Sequence, residues 1–234
     1  MHHIYKKEEV AIHRLDQLTL YLLLGVIAGA RLGHILFYYP LYYLERPVEI
    51  LPFRLEPEFH FTGLAGLASH GGVAGAVIAL FLCCRKDHKG FLWISDRTVI
   101  AGALLGSFIR IGNLMNSEIL GKGTDAGWAF VFTRADNIPR HPAQLYEAAG
   151  YLLTFIVLFA MWKSPKTKPP GFIFGSCLVL VFVQRFVIEF LKTDQVPFEA
   201  SLPINMGQIL SIPLIITGLI IIVISHRHAR SGFH

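Results

Sequence analysis

Where one apolar block of this chain ends, basic and amide side chains recur at helical spacing. In RIGNLMNSEILGKG, Arg110, Asn113 and either Asn116 or Ser117 follow one another at three to four residues, the interval at which helical side chains share a face. Glu118 follows, and Gly121 and Gly123 then break the run. A guanidinium offers a fixed fork of donors, and amides add donors without charge, a set that suits phosphate or ester oxygens. The same residues can also close on themselves as an Arg110–Glu118 structural network.

Other costly polar residues stand in apolar surroundings. Arg31 and His34 lie three apart in RLGHILFYY, either reaching for a membrane interface beside Tyr38 and Tyr39 or facing a site. His70 stands in GLAGLASHGGVAG, where small residues permit close backbone approach; it is either a packing histidine or one that a ligand reaches between glycines. Pro142 suits the first turn of a helix, after which Gln144 and Glu147 share a face and Tyr146 suits an interface. Arg185 and Glu189 are four apart, spaced to form an ion pair. That pair is either structural, or Arg185 is a second phosphate donor that Glu189 orients.

The elements that must carry these residues are apolar and long. Hydrophobic residues make up 53% of the 234 residues and charged ones 16%, shifted away from the soluble average of about 45–50% and about 25%. The apolar residues come in six blocks, at about 15–39, 62–84, 92–111, 143–162, 171–191 and 206–225. Each is near the roughly 20 residues that one bilayer crossing needs. The expected fold is therefore all-α, a polytopic transmembrane helix bundle of about six spans. It forms a single integral membrane domain over 1–234, with a polar insertion at about 112–142. Ionisable side chains inside such spans are expensive and mark functional sites by default.

Lysine and arginine concentrate in alternate connections, around Lys6–Arg14, Arg85–Lys89, Lys163–Lys168 and Arg227–Arg230. The positive-inside pattern puts both termini in the cytoplasm and the connections around 46–60, 112–142 and 192–205 outside. The costly polar residues thus converge on the outer face. The net charge of +5 does not indicate nucleic acid, because the basic residues form no stripe on a soluble element. Cys83, Cys84 and Cys177 lie in or at the ends of apolar blocks and are read as buried small residues. No cleavable signal peptide is expected, since the first block is long and follows a charged stretch. No P-loop, HExxH, GxSxG or Mg²⁺-spaced carboxylate cluster is visible, so neither metal nor cofactor is expected.

RLGHILFYY, ASHGGVAG, RIGNLMNSEILG, RHPAQLYE, RFVIEF and NMGQILSIP occur in the order found in prolipoprotein diacylglyceryl transferases, and from about Glu8 onward the chain resembles that family. RIGNLMNSEILG and RHPAQLYE are its specific parts. The resemblance implies a helix bundle with a small outer head segment in the bacterial inner membrane. It implies transfer of a diacylglyceryl group from phosphatidylglycerol to the lipobox cysteine of a prolipoprotein, forming a thioether and releasing glycerol phosphate. It places Arg110, Asn113, Glu118 and Gly121 in the family's signature, and His70 and Arg185 among the residues the family uses. Arg31, Asn116, Glu147 and Glu189 complete the expected substrate-binding set. The family pattern carries one more transmembrane helix ahead of the position of Leu15. The alternatives are an inactive truncated member, or a membrane protein that binds or transports an anion or phospholipid without chemistry.

Overall fold

The computed structural model describes residues 1–51, 53–54, 59–61, 66–85, 89–166, 168–193 and 204–231, with side chains undescribed at 54, 60, 69, 70, 230 and 231. The fold is all-α. Among the described residues, five helices are long and apolar enough to cross a membrane: Ile12–Tyr38 (α2), Phe91–Met115 (α5), Ala143–Lys163 (α6), Phe172–Glu189 (α7) and the apolar part, Met206–Ala229, of α8 (Met206–Ser231). A shorter apolar helix, Ser69–Cys84 (α4), stands where a span over 62–84 is predicted. Its 16 residues rise only about 24 Å at about 1.5 Å each. It starts late because the residues before it are not helical: Gly66 has φ +69° and Ala68 is extended. A side chain at Gly66 would also collide with His34 and crowd Arg31. The chain divides into two compact units, Met1–Ile94 and Ser95–His234.

In the first unit, the short helix His2–Lys7 (α1) buries Ile4 and Tyr5, and Tyr5 meets Trp93 edge-on. The unit is held by α2 packed on α4 through backbone rather than side chains. Gly25, Gly29 and Gly33 repeat every fourth residue on α2 and face Gly71, Gly75 and Ala79 on α4. A Cβ on Gly29 would lie 2.8 Å from the Gly75 Cα, and one on Gly71 would lie 2.9 Å from the Gly33 Cα. In lipid, close approach of small residues replaces the hydrophobic drive as the source of helix association. Beyond α2 come Pro40–Glu45 (α3), a 3₁₀ turn Pro47–Ile50, and the paired strands Phe53–Arg54 (β1) and His60–Phe61 (β2).

In the second unit, Asp96 near the start of α5 is 1% exposed. It accepts hydrogen bonds from the Gly171 N–H at 2.8 Å and the Phe174 N–H at 2.7 Å. A carboxylate from a neighbouring helix thus satisfies the orphan donors at the N-terminus of α7. Between α5 and α6 the connecting segment folds as a small hairpin, Phe130–Val131 (β3) against Pro139–Arg140 (β4). Asp136 clamps it: Arg140 donates from Nε at 3.2 Å and Nη2 at 2.5 Å, and the Ile138 N–H donates at 3.0 Å. The Arg140 hydrogen bonds, then the Ile138 bond, hold the Asp136 carboxyl below its usual range and raise the Arg140 guanidinium.

Two measurements test these packings. Gly29→Val inserts side-chain atoms where α4 backbone already sits, and should cost about 1–3 kcal/mol in thermal unfolding of the detergent-solubilised protein. Wild-type melting in that variant would remove the backbone contact as the source of cohesion. The depressed Asp136 carboxyl contributes stability that is complete above its ordinary value of 3.8 and lost as pH falls through its lower folded value. Amide exchange at Ile138 should therefore stay slow at pH 4 and accelerate below it, whereas Asp136→Asn should abolish that pH step.

Candidate functional site

Helix α5 is the origin of the site, and its end departs from the simple helical face. It stops at Met115, and the chain reverses in a Schellman turn: the Glu118 N–H donates to the Asn113 carbonyl at 2.9 Å and the Ser117 N–H to the Leu114 carbonyl at 3.1 Å. Ser117 supplies the left-handed residue at φ 58°, and Ile119 follows at φ 56°. Non-glycine residues in this region cost about 1–2 kcal/mol each, so the turn is held by what surrounds it. The reversal brings Glu118 back over Asn113, whose Nδ2 donates to Glu118 Oε2 at 2.7 Å. Asn113 Oδ1 accepts from Arg110 Nη1 at 3.2 Å. Arg110 and Glu118 are thus joined through the amide. Asn116 leaves the common face that its spacing predicts; it is exposed, and its side chain makes no hydrogen bond among the described residues.

A second carboxylate closes on Arg110 from α6. Glu147 is 1% exposed, and its Oε2 lies 3.1 Å from Arg110 Nε. That contact is close but poorly aligned, and Oε2 has no hydrogen-bond partner. Glu147 Oε1 accepts from Lys192 Nζ at 2.8 Å, and the same ammonium reaches Glu189 Oε2 at 3.0 Å. Gln144, one turn before Glu147, donates to the Glu118 carbonyl at 2.5 Å. Outside this chain of charges, Tyr146 accepts from Trp128 Nε1 at 2.8 Å and lies 3.3 Å from His141 Nδ1. Gly121 pairs in an antiparallel bridge with Lys192, and Arg140 Nη1 donates to its carbonyl at 3.1 Å.

The Arg185–Glu189 pair that the spacing predicts is not formed. Lys192, three residues beyond Glu189, takes the carboxylate instead, and Glu189 sits against α8, where a Cβ on Gly207 would lie 2.5 Å from its Cδ. Half-buried Arg185 has no hydrogen bond or ion pair among the described residues. Lys192 is the member that spacing alone overlooks, although Glu189 and Lys192 stand at i, i+3 and signal a pair. Gln144 and the mutually bonded Asn205 and Gln208 also join this end of the unit, with Asn205 Nδ2 donating to the Glu189 carbonyl at 3.3 Å.

Two predicted residues stand in the other unit. Arg31 donates to the carbonyls of Ile50 at 2.9 Å, Glu49 at 2.5 Å and Gly66 at 3.4 Å, and its guanidinium lies over the Tyr43 ring. Its donors organise the connection that follows α2 in its own unit. His34 stacks on Tyr38. His70 lies in the first turn of α4, and its side chain is outside the described residues. Among the described residues no group of three His, Cys, Asp or Glu is placed to hold a metal.

The arrangement amounts to two arginines at one end of a membrane-spanning unit. One is tethered by Glu147 and Asn113, and among the described residues its Nη2 has no hydrogen bond and the other arginine has no partner. The sequence that builds this end of the unit is similar to that of known proteins. The family model for prolipoprotein diacylglyceryl transferase matches residues 1–224. A phosphatidylglycerol–prolipoprotein diacylglyceryl transferase of Tolumonas auensis is 45% identical over 228 residues, covering 97% of this chain and 85% of that protein. One from Bacteroides fragilis is 48% identical over 223 residues, 94% of this chain and 80% of the relative. One from Chloroherpeton thalassium is 41% identical over 229 residues, 97% of this chain and 82% of the relative. The chain belongs to the prolipoprotein diacylglyceryl transferase family.

Proposed function

We propose that this multi-pass membrane protein moves the diacylglyceryl group of phosphatidylglycerol to the lipobox cysteine of a prolipoprotein, the first step of lipoprotein modification, from the outer face of the bacterial inner membrane. Family membership supports the reaction. The single structural observation that carries the residue assignment is the pair of arginines with guanidinium donors left over at one end of the second unit.

The reaction forms a bond from sulfur to a glyceryl carbon and breaks the bond from that carbon to the phosphate oxygen. Sulfur attacks as thiolate, and a free thiol has a pKa of about 8.5, so a base or a positive field raises the reactive fraction. Negative charge grows on the departing glycerol phosphate. Arg110 and Arg185 are the groups that hold it, acting in a low-dielectric setting where donors aimed at developing charge are most effective. Asn113 fixes the Arg110 plane and Glu118 fixes Asn113. The thiol proton goes either to His70 or to an oxygen of the departing phosphate. Gly121 is held by its bridge to Lys192 at the edge of this network.

Purified protein should consume phosphatidylglycerol only when a cysteine-bearing lipobox peptide is present. Arg110→Lys keeps the charge but loses the fork, and should slow turnover by about 10²-fold or more. Full activity in both Arg110→Ala and Arg185→Ala would sink the phosphate-holding role, and lipid binding without peptide-dependent consumption would favour a non-catalytic binder. For orientation, a single cysteine at Asp125, in a background lacking Cys83, Cys84 and Cys177, should react with an impermeant reagent outside the cell. One at Arg85 should stay protected. The reverse pattern would place the site on the cytoplasmic face.

A further inference from the structure

Lys192 is a buried ion outside every motif discussed above. It is 2% exposed and lies three residues past the last residue of α7. Its backbone is fixed rather than free: the Lys122 N–H donates to the Leu191 carbonyl at 2.8 Å and the Thr193 N–H to the Leu120 carbonyl at 3.1 Å. This anchoring aims the ammonium at two carboxylates from different helices, Glu147 Oε1 at 2.8 Å and Glu189 Oε2 at 3.0 Å. A compact ammonium with three donors can serve both.

The local balance of charge depends on this one residue. Arg110, Arg185 and Lys192 bring three positive charges against the three negative charges of Glu118, Glu147 and Glu189, an even balance. Without Lys192 the cluster carries one net negative charge, and Glu147 and Glu189 each lose an ammonium partner. The partner nearest to Glu189 along α7 is Arg185, four residues earlier, where helical pairing is the default. The partner already beside Glu147 is Arg110.

We infer that Lys192 is a positioning residue that keeps the anion site from turning acidic: by occupying Glu147 and Glu189 it leaves the guanidinium donors of Arg110 and Arg185 to a phosphate-bearing lipid headgroup. The inference rests on the reading that these arginines hold phosphate. Lys192 acts through them and does not itself touch the lipid.

The test compares binding of phosphatidylglycerol and phosphatidylcholine, each offered in nanodiscs or mixed micelles to the full chain, with melting recorded for every variant. Lys192→Met should weaken phosphatidylglycerol binding about tenfold, the scale of one charge-assisted contact, with phosphatidylcholine binding unchanged. Lys192→Arg should recover most of the loss. In an Arg185→Ala background, Lys192→Met should add far less than it does alone. If Lys192→Met does not fold, Lys192→Met/Glu189→Gln removes one charge of each sign; it should fold and bind phosphatidylglycerol more tightly than Arg185→Ala does. Equal loss for both lipids, an undiminished effect in the Arg185→Ala background, or a charge-balanced double variant no better than Arg185→Ala would each overturn the inference. If Arg185→Ala weakens binding but Lys192→Met does not, the phosphate reading stands and the role of Lys192 fails. If Arg185→Ala binds phosphatidylglycerol normally, the reading of Arg185 fails and the inference fails with it.

Discussion

The Glu147 carboxylate, almost sealed from solvent and shared between Arg110 and Lys192, is the contact on which the second unit depends. A buried charge stripped of its partners is among the costliest things a protein can contain, and breaking one such pair typically costs about 3–5 kcal/mol. Here one carboxylate commits three segments at once: the end of α5 through Arg110, the start of α6 through its own backbone, and the chain beyond α7 through Lys192. The Schellman turn and its left-handed Ser117 follow, because Gln144 on the same face of α6 donates to the Glu118 carbonyl. The sequence places these polar groups at helix ends, where the lipid environment gives way and such networks can exist without a hydrocarbon penalty.

The first unit solves the same problem by different means. Helix α4 carries no Asp, Glu, Lys or Arg, and α2 and α4 meet backbone to backbone along facing glycines. Arg31 donates to carbonyls of the connection after α2, where irregular backbone would otherwise leave acceptors unsatisfied. Close backbone contact holds the first unit, whereas the second combines such a contact, Gly175 against Gly218, with buried ion pairs.

What was legible in the sequence follows the range of the forces involved. The helices were legible because apolar length is local, and Arg110, Asn113, Glu118 and Glu147 were legible because each stands within a turn of a helix end. Asn116 was misplaced because periodicity continues a helix that Ser117 ends, and nothing in an Asn-Ser pair announces a left-handed residue. The Arg185–Glu189 pair was misjudged because i, i+4 spacing states what can pair but not which competitor wins; Lys192 wins through a bridge to Gly121, a contact 71 residues away in sequence. The glycine ladder of α2 was readable as three glycines at intervals of four, the same signal that singled out α4. The early start assigned to α4 failed because Gly66 and Ala68 adopt non-helical backbone in a stretch whose composition is apolar throughout.

Asp96 has a mechanical consequence. It ties the beginning of α5 to the beginning of α7, while Arg110, Glu147, Lys192 and Glu189 tie their far ends. Asp96 to Arg110 is 14 residues along α5, and Phe174 to Glu189 is 15 along α7, so the two fastenings are spaced alike, about 21–23 Å apart at about 1.5 Å per residue. Sliding either helix by one turn would break both fastenings together. The pair behaves as a braced beam that resists shear, and the separation of the two arginines it carries is set by that stiffness.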